Sequence, residues 1–303
     1  MTGKQILKGA KTILKPFRVS DGKDFRLKDV DPGDTLNFKS EDKPRAKEVL
    51  ADGIRMLAAL QSKLYAADRW AVLLIFQAMD AAGKDSAIKH VMSGVNPQGC
   101  QVCAFKAPSA EELDHDFLWR CINRLPNRGH IGIFNRSYYE ETLIVRVHRE
   151  LLEKEKLPEE LITKKIWKER FDDIRNFEQY LGRNGVAVRK FFLHVSKEEQ
   201  KKRFLERIEN PAKNWKFSIE DVKERQHWDE YMEAYEEMIQ ATATKESPWY
   251  VVPADHKWFT RLVVAAAIIE TIDSLHVDYP IVAKSELKEL AQARKTLEHE
   301  KSI

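Results

Sequence analysis

Residues 71–86 read AVLLIFQAMDAAGKDS. Six apolar residues run without interruption and stop at a turn. A short continuous apolar run fits a strand buried on both faces, as in a parallel sheet. The next residues, AIKHVMSGV, resume helical spacing, so the stretch predicts strand, turn, helix. Working outward, the same alternation recurs. CQVCAF (100–105), HIGIFN (130–135), VAVRKFFLHV (186–195) and PWYVVPA (248–254) read as four more strands. Leu50, Ile54, Leu57, Leu60 and Leu64 mark a helix before the first strand. EELDHDFLWRCINRL, SKEEQKKRFLERIE, DVKERQHWDEYMEAYEEMIQAT and KWFTRLVVAAAIIETIDSL read as helices between or after the others. Strands alternating with helices predict an α/β fold of three layers around a parallel five-stranded sheet. Residues 1–50 are polar and read as an extended arm followed by a helix start near Lys43, 51–280 as the core, and 281–303 as a charged helical tail.

Composition excludes several classes. The chain has 303 residues, with 51 Lys and Arg against 48 Asp and Glu, for a net charge of +3. Gly (12) and Pro (11) are too few for a fibrous or low-complexity chain, and 43 % hydrophobic residues are too many for a disordered one. A net +3 sets up no global field for nucleic acid, so any polyanion site must be local. The longest apolar runs, 71–76 and 262–269, fall far short of the ~20 residues that span a bilayer. The N-terminus lacks the h-region and cleavage pattern of a signal peptide. Neither a nucleic-acid nor a membrane partner is expected. Cys100 and Cys103 form a C-x-x-C, but no second pair or nearby His pair completes a zinc site. With Cys121 they read as ordinary thiols, and the expected compartment is the cytoplasm.

The turn after the first strand is the strongest local signal. Strand, G-x-x-x-x-G-K-[ST], helix is the general phosphate-loop pattern. Here Ala78 stands at the first Gly, and four residues separate it from Gly83 and Lys84. Backbone N–H groups of Ala81, Ala82, Gly83, Lys84, Asp85 and Ser86 would cradle phosphate at a helix N-terminus. Lys84 would add a point charge. Asp85 replaces the hydroxyl that usually helps hold Mg²⁺, and Asp80 adds an acid inside the loop. A carboxylate there repels phosphate unless it holds a metal or takes a proton, so Asp80 reads as a metal-linked or base residue. An acidic helix cap is the competing reading.

The third strand ends IGIFNRSYYEE, with Asn135 where such enzymes carry a metal-binding Asp and Arg136 at the strand's C-terminal end. AMDAAGKDS followed about fifty residues later by GIFNRSYYEE resembles the polyphosphate kinase 2 family. VNPQG, VRVH, KFFLHVSKEEQKKRF, NWKFS and SPWYVVPADHKWFTRL extend the resemblance over roughly residues 50–280. Asn in FNRS resembles the family's class III branch, which phosphorylates both AMP and ADP. Tyr138 stands where that branch often carries His.

The resemblance implies a thymidylate-kinase-like P-loop kinase fold with a helical lid at about 141–176. It implies Mg²⁺, with Mn²⁺ as a substitute. The partners would be inorganic polyphosphate with AMP, ADP or ATP, guanine nucleotides as further candidates, and a homo-oligomeric dimer or tetramer. Asp80, Lys84, Asn135, Arg136 and Glu140 would be catalytic, with Asp80 and Glu140 as candidate metal ligands. The transfer would be reversible, in line and without a phosphohistidine. Arg146, Arg189, Arg203, Arg207 and Lys216 are candidate cations for the polyphosphate chain. A solvated face with local ion pairs competes for each. Stretch 143–175 has nine basic against eight acidic residues and 196–228 nine against seven, so composition alone shows no basic channel. Trp215, Trp228, Tyr231 and Tyr235 fall near helical spacing and read as core or lid packing. PADHKWF is the loop where related folds contact the base. An ATP-dependent nucleotide kinase of thymidylate-kinase type is the alternative activity.

Overall fold

The computed structural model describes residues 2–300. Among them six strands form one sheet: β1 (Arg18–Val19), β2 (Ala71–Gln77), β3 (Cys100–Ala104), β4 (Ile131–Asn135), β5 (Val186–His194) and β6 (Trp249–Pro253). Their order is β1-β6-β5-β2-β4-β3. The four pairings among β2 to β6 are parallel, and β1 runs antiparallel to β6. Five parallel strands were expected. The sixth is two residues long and sits in a polar arm, where only main-chain pairing defines it. β2 is central and wholly buried, as its unbroken apolar run requires. Phe76 stacks on Phe191 at 4.7 Å, and Phe191 on Tyr250 at 5.4 Å.

Helices cover both faces. The helix start expected near Lys43 is where α2 (Lys43–Ala67) begins, but the residues before it are not simply extended. They form α1 (Gly3–Leu14), β1 and two 3₁₀ turns. A Cβ at Gly22 would collide with the Gln240 backbone, so glycine is what lets the arm lie so close. α3 (Lys84–Val91) follows β2. The helix expected over 111–125 is broken into α4 (Ala110–Leu113) and α5 (Trp119–Ile122), the Asp116 carboxylate accepting from Leu118 N at 2.9 Å between them. Beyond β4 come α6 (Ile144–Val147) and α7 (Ile166–Arg183), then α8 (Lys197–Glu209), α9 (Ile219–Lys223), α10 (Trp228–Thr242), α11 (Lys257–Ser274) and α12 (Lys284–Glu298). α11 packs on α1, α2 and α3, and twelve of its residues are buried, which explains its apolar character all round. α12 is exposed along its length. Residues 301–303 of the expected tail lie outside the described residues. No helix among the described residues is long and apolar enough to cross a membrane.

The stretch expected as the lid, about 141–176, packs against the sheet through its helical part. The stretch opens as 3₁₀ turns and α6, and α7 packs on β5 with Phe171, Ile174 and Leu181 buried. Most of its charged residues are exposed, but Glu141, Arg170 and, just beyond the stretch, Glu178 are buried. Lys190 Nζ on β5 donates to Glu178 Oε2 at 2.6 Å and to Thr242 O at 2.7 Å. Glu178 Oε1 accepts from Tyr138 (3.0 Å) and Tyr139 (2.7 Å). Burial pulls the Lys190 pKa down, and the Glu178 carboxylate opposes that shift. Removing one partner strands the other in the core. Lys190→Met is expected to destabilise the fold by about 3–5 kcal/mol in urea unfolding, and adding Glu178→Leu to recover part of the loss. A loss under about 1 kcal/mol for the single change would show that the pair is not what joins α7 to the sheet.

Candidate active site at the carboxyl ends of the strands

Gln77, Asn135, His194 and Pro253 end their strands at one edge of the sheet. That edge is where open α/β sheets bind ligands. The loop after β2 turns sharply there. Gly83 takes φ +109° as the N-cap of α3, and Ala81 takes φ +62°. Gly83 needs glycine for that conformation, whereas Ala81 carries strain of about 1–2 kcal/mol. Ala78 is not among the residues with positive φ, so the missing first glycine is no obstacle. Lys84 is 8 % exposed and donates from Nζ to Ala78 O at 2.7 Å. Burial pulls its pKa down and Arg136 adds to that. The carboxylates of Asp80, Glu140 and Asp85 oppose both.

The outer side of the loop is clamped from α8. Arg203 Nη1 donates to Ala81 O (3.1 Å) and Ala82 O (2.7 Å). Its Nη2 donates to Ala254 O (2.6 Å) and Asp255 O (3.1 Å). One turn earlier, Gln200 Nε2 donates to Asp80 O at 2.8 Å. Arg225 donates to Gln200 Oε1 at 2.5 Å. The carbonyls of Asp80, Ala81 and Ala82 are thus occupied from behind, and the Ala82 N–H closes the turn by donating to Met79 O at 3.2 Å.

Across the crevice β4 ends in Asn135 and Arg136. Arg136 has φ +65°, and its N–H donates to Phe76 O at 3.0 Å, tying the turn to β2. Its Nη2 meets Asp80 Oδ1 at 2.8 Å and its Nη1 lies 3.6 Å from Glu140 Oε2. Glu140 raises the Arg136 pKa most. Burial raises that of Glu140, with Arg136 and Lys84 pulling it back. With its amide turned to satisfy both ends, Gln77 donates to Glu140 Oε1 at 2.7 Å and accepts from Ser137. Asn135 Nδ2 donates to Asp85 Oδ1 at 2.8 Å, joining the tips of β4 and α3. Arg261 donates to Ser86 Oγ at 3.0 Å.

Two cavities flank this pair of strand ends. The loop lines a groove of about 310 Å³ whose cations are Lys84, Arg203, Arg207, Lys213, Lys216 and Lys257. Its acids are Asp80, Asp85 and Glu206. The other cavity, about 260 Å³, has walls of Phe105, Pro108, Ile144, Val145 and Leu151 and shares Arg136 and Glu140 with the centre. Arg120 lies 5.6 Å over the Phe105 ring, and it meets Glu141 at 3.3 Å. Asp80 in the groove bonds Arg136 in the second cavity, so their ion pair stands where the two meet.

Of the residues singled out in the sequence, Asp80 to Ser86, Asn135, Arg136, Glu140, Arg203, Arg207 and Lys216 gather here. Two do not. Arg146 is held bidentately by Glu237 at 2.6 and 2.8 Å, away from the groove wall. Arg189 lies mid-strand in β5 and spends its donors on Thr271, Val188 O and Glu246 O. Position alone argues against Arg189, five residues short of the strand's C-terminal end. Glu140 has both oxygens facing donors, Gln77 and Arg136. Lys213, Lys257 and Gln200 belong to the site and were not singled out. Lys257 comes from PADHKWF, which supplies a groove cation and two carbonyls to Arg203. Trp228, Tyr231 and Tyr235 are buried, but Trp215 is 77 % exposed. The described residues hold no group of three or more His, Cys, Asp or Glu that could bind a metal by themselves.

Parallel sheet, phosphate-loop turn and an arginine at the facing strand end define a P-loop kinase-like α/β protein. The chain belongs to the polyphosphate kinase 2 family, whose model matches residues 40–280. It is 54 % identical over 292 residues to an ADP-polyphosphate phosphotransferase of Rhodopseudomonas palustris, covering 95 % of this chain and 99 % of that one. It is 43 % identical over 267 residues to an AMP/ADP-polyphosphate phosphotransferase of Meiothermus ruber, covering 88 % and 96 %. A crystal structure of polyphosphate kinase 2 from Arthrobacter aurescens TC1 superposes with a TM-score of 0.83 at 37 % identity, over 92 % of this chain and 96 % of that one.

Proposed function

We propose that the protein transfers the terminal phosphate of inorganic polyphosphate to AMP and ADP, and that the transfer is reversible. The observation that carries this reading is a groove of six cations at the loop, meeting an apolar pocket at the Arg136–Asp80 pair. A chain of phosphates needs a row of cations and no base pocket, and a nucleotide needs the reverse. In this reading the loop amides and Lys84 bind the donor's last phosphates, and Arg207, Lys213, Lys216 and Lys257 hold the units behind them. The acceptor's base lies against Phe105, with its phosphate toward Arg136. Arg136 then exchanges Asp80 for the phosphoryl group in transit, and Glu140 keeps the guanidinium aimed. The acceptor oxygen is already anionic, so positioning and charge neutralisation suffice.

Mg²⁺ binds through one or two carboxylates and takes its remaining ligands from water and substrate phosphates, so a single acid at the loop fits it. Asp80, partly exposed and bonded through Oδ1 alone, is the residue that would hold it. Glu140, engaged at both oxygens, suits Arg136 better than a metal. When bound, the ion neutralises charge on the phosphate oxygens. Mn²⁺ accepts the same oxygen ligands.

The test is to incubate the purified protein with Mg²⁺, polyphosphate and AMP, ADP, GMP or GDP in turn, without ATP. Formation of ADP and then ATP is expected, and products from GMP and GDP would extend the acceptor range. Transfer only when ATP is the donor would overturn the reading in favour of an ATP-dependent nucleotide kinase.

A further inference from the structure

We propose that the exposed face of α1 holds the distal part of a long polyphosphate chain, outside the groove at the loop. The inference rests on the polyphosphate reading above. Residues 1–20 contain Lys4, Lys8, Lys11, Lys15 and Arg18 and no Asp or Glu. The four lysines recur at steps of four, three and four, which places them on one face of a helix. All four are exposed, while Ile6, Leu7, Ala10, Ile13 and Leu14 fix the opposite face to the core. Thr2 and Gln5 close a capping box at the N-terminus, so the row is held in place along about 16 Å.

A solvated face normally interleaves acids with its bases, and α8 and α12 do. α1 does not. Among the described residues none of the four lysines lies within ion-pair distance of a carboxylate, a property they share with Lys284, Lys288 and Lys295, and α1 is set apart from α12 by having no acid on the helix at all. Like charges at i, i+4 weaken a helix, and Lys4 in the first turn opposes the macrodipole while Lys11 in the last turn favours it. The pattern is therefore unfavourable to α1 itself and favourable to an anion with repeating charge. It also lies outside residues 40–280, the part that matches the family.

The C-terminal end of the row and the groove are joined through the core. Phe17, two residues beyond Lys15, meets the Phe259 ring edge-on at 5.9 Å. Phe259 is two residues from Lys257, which lines the groove. A donor longer than the groove has to leave it, and this row offers evenly spaced point charges that place no directional demand on successive phosphates. Binding would release counterions, and would be correspondingly salt-sensitive.

The test replaces Lys4, Lys8, Lys11 and Lys15 together (Lys4→Gln, Lys8→Gln, Lys11→Gln, Lys15→Gln). Glutamine keeps helix propensity and removes no buried contact. For polyphosphate of several hundred units, KM at low salt is expected to rise about tenfold or more, and the log–log salt slope of binding to fall by about 3. For a donor of a few units, kcat and KM should stay as in the wild type, which also reports an intact fold. Removing Lys284, Lys288 and Lys295 on α12 (each Lys→Gln) should change neither. An unchanged long-to-short ratio overturns the proposal. So does a variant that loses binding to anionic lipid vesicles or duplex DNA while its long-chain kinetics are unaltered. A wild-type enzyme that used no polyphosphate of any length would remove the donor assignment and this inference with it.

Discussion

Lys84→Met is expected to lower kcat/KM for polyphosphate-dependent transfer by at least about a thousandfold, with the unfolding midpoint little changed. Methionine matches the lysine stem in length and keeps its packing between the loop and α3. What it removes is the charge. In the protein alone the ammonium donates to Ala78 O and is surrounded by Asp80, Glu140 and Asp85. Burial and Arg136 work against that charge, and the three carboxylates work for it. A phosphate arriving at the loop adds further negative charge next to a cation already shielded from water, where each interaction is worth more than at the surface. The measurement is a steady-state assay with AMP and polyphosphate alongside urea unfolding. A variant within tenfold of wild-type activity would remove Lys84 from the phosphate site.

Asp80→Asn is expected to reduce transfer by about two to four orders of magnitude and to raise the Mg²⁺ concentration needed for half-activation at least tenfold. The substitution preserves shape. Asparagine Oδ1 can still accept from Arg136, and the backbone carbonyl can still accept from Gln200. Only the negative charge is lost, so a fall in rate reports charge rather than misplacement. The rate is measured against Mg²⁺ at saturating donor. Reduced activity with wild-type metal dependence would assign Asp80 to holding Arg136 alone.

Much of the architecture was legible because burial leaves a signature. β2, β5 and β6 are covered on both faces, and a strand so placed must be apolar throughout. β1 left none, since two residues have no periodicity and its pairing with β6 depends on a strand some 230 positions away. α7 was legible as a charged helix, but which of its charges are buried was not. Its Arg170 and Glu178 are charges by composition, but Arg170 is 3 % exposed and bonded to Glu141 O and Glu155, and Glu178 is 2 % exposed. Counting charge cannot separate a solvated lid from a helix whose charges are paired inside. The groove shows the same limit. The segments considered along the chain are nearly neutral, and six cations converge only because α3, α8, the turn after it and the start of α11 meet in space. Lys84 and Arg136 were readable, being fixed to strand ends by motif. Lys213 and Lys257 sit in or beside loops whose course the sequence does not set.

Arg203 has a consequence for how affinity arises. A loop in the shape of residues 78–83 would sample many conformations if left alone, and restricting each residue costs about 1–2 kcal/mol in backbone entropy. The guanidinium meets that loss during folding. Through four main-chain carbonyls it holds the left-handed Ala81 in place beside Gly83, before any ligand is present. A phosphate group then meets a receptor that has no ordering left to do, and the free energy of its contacts goes into binding rather than into shaping the loop.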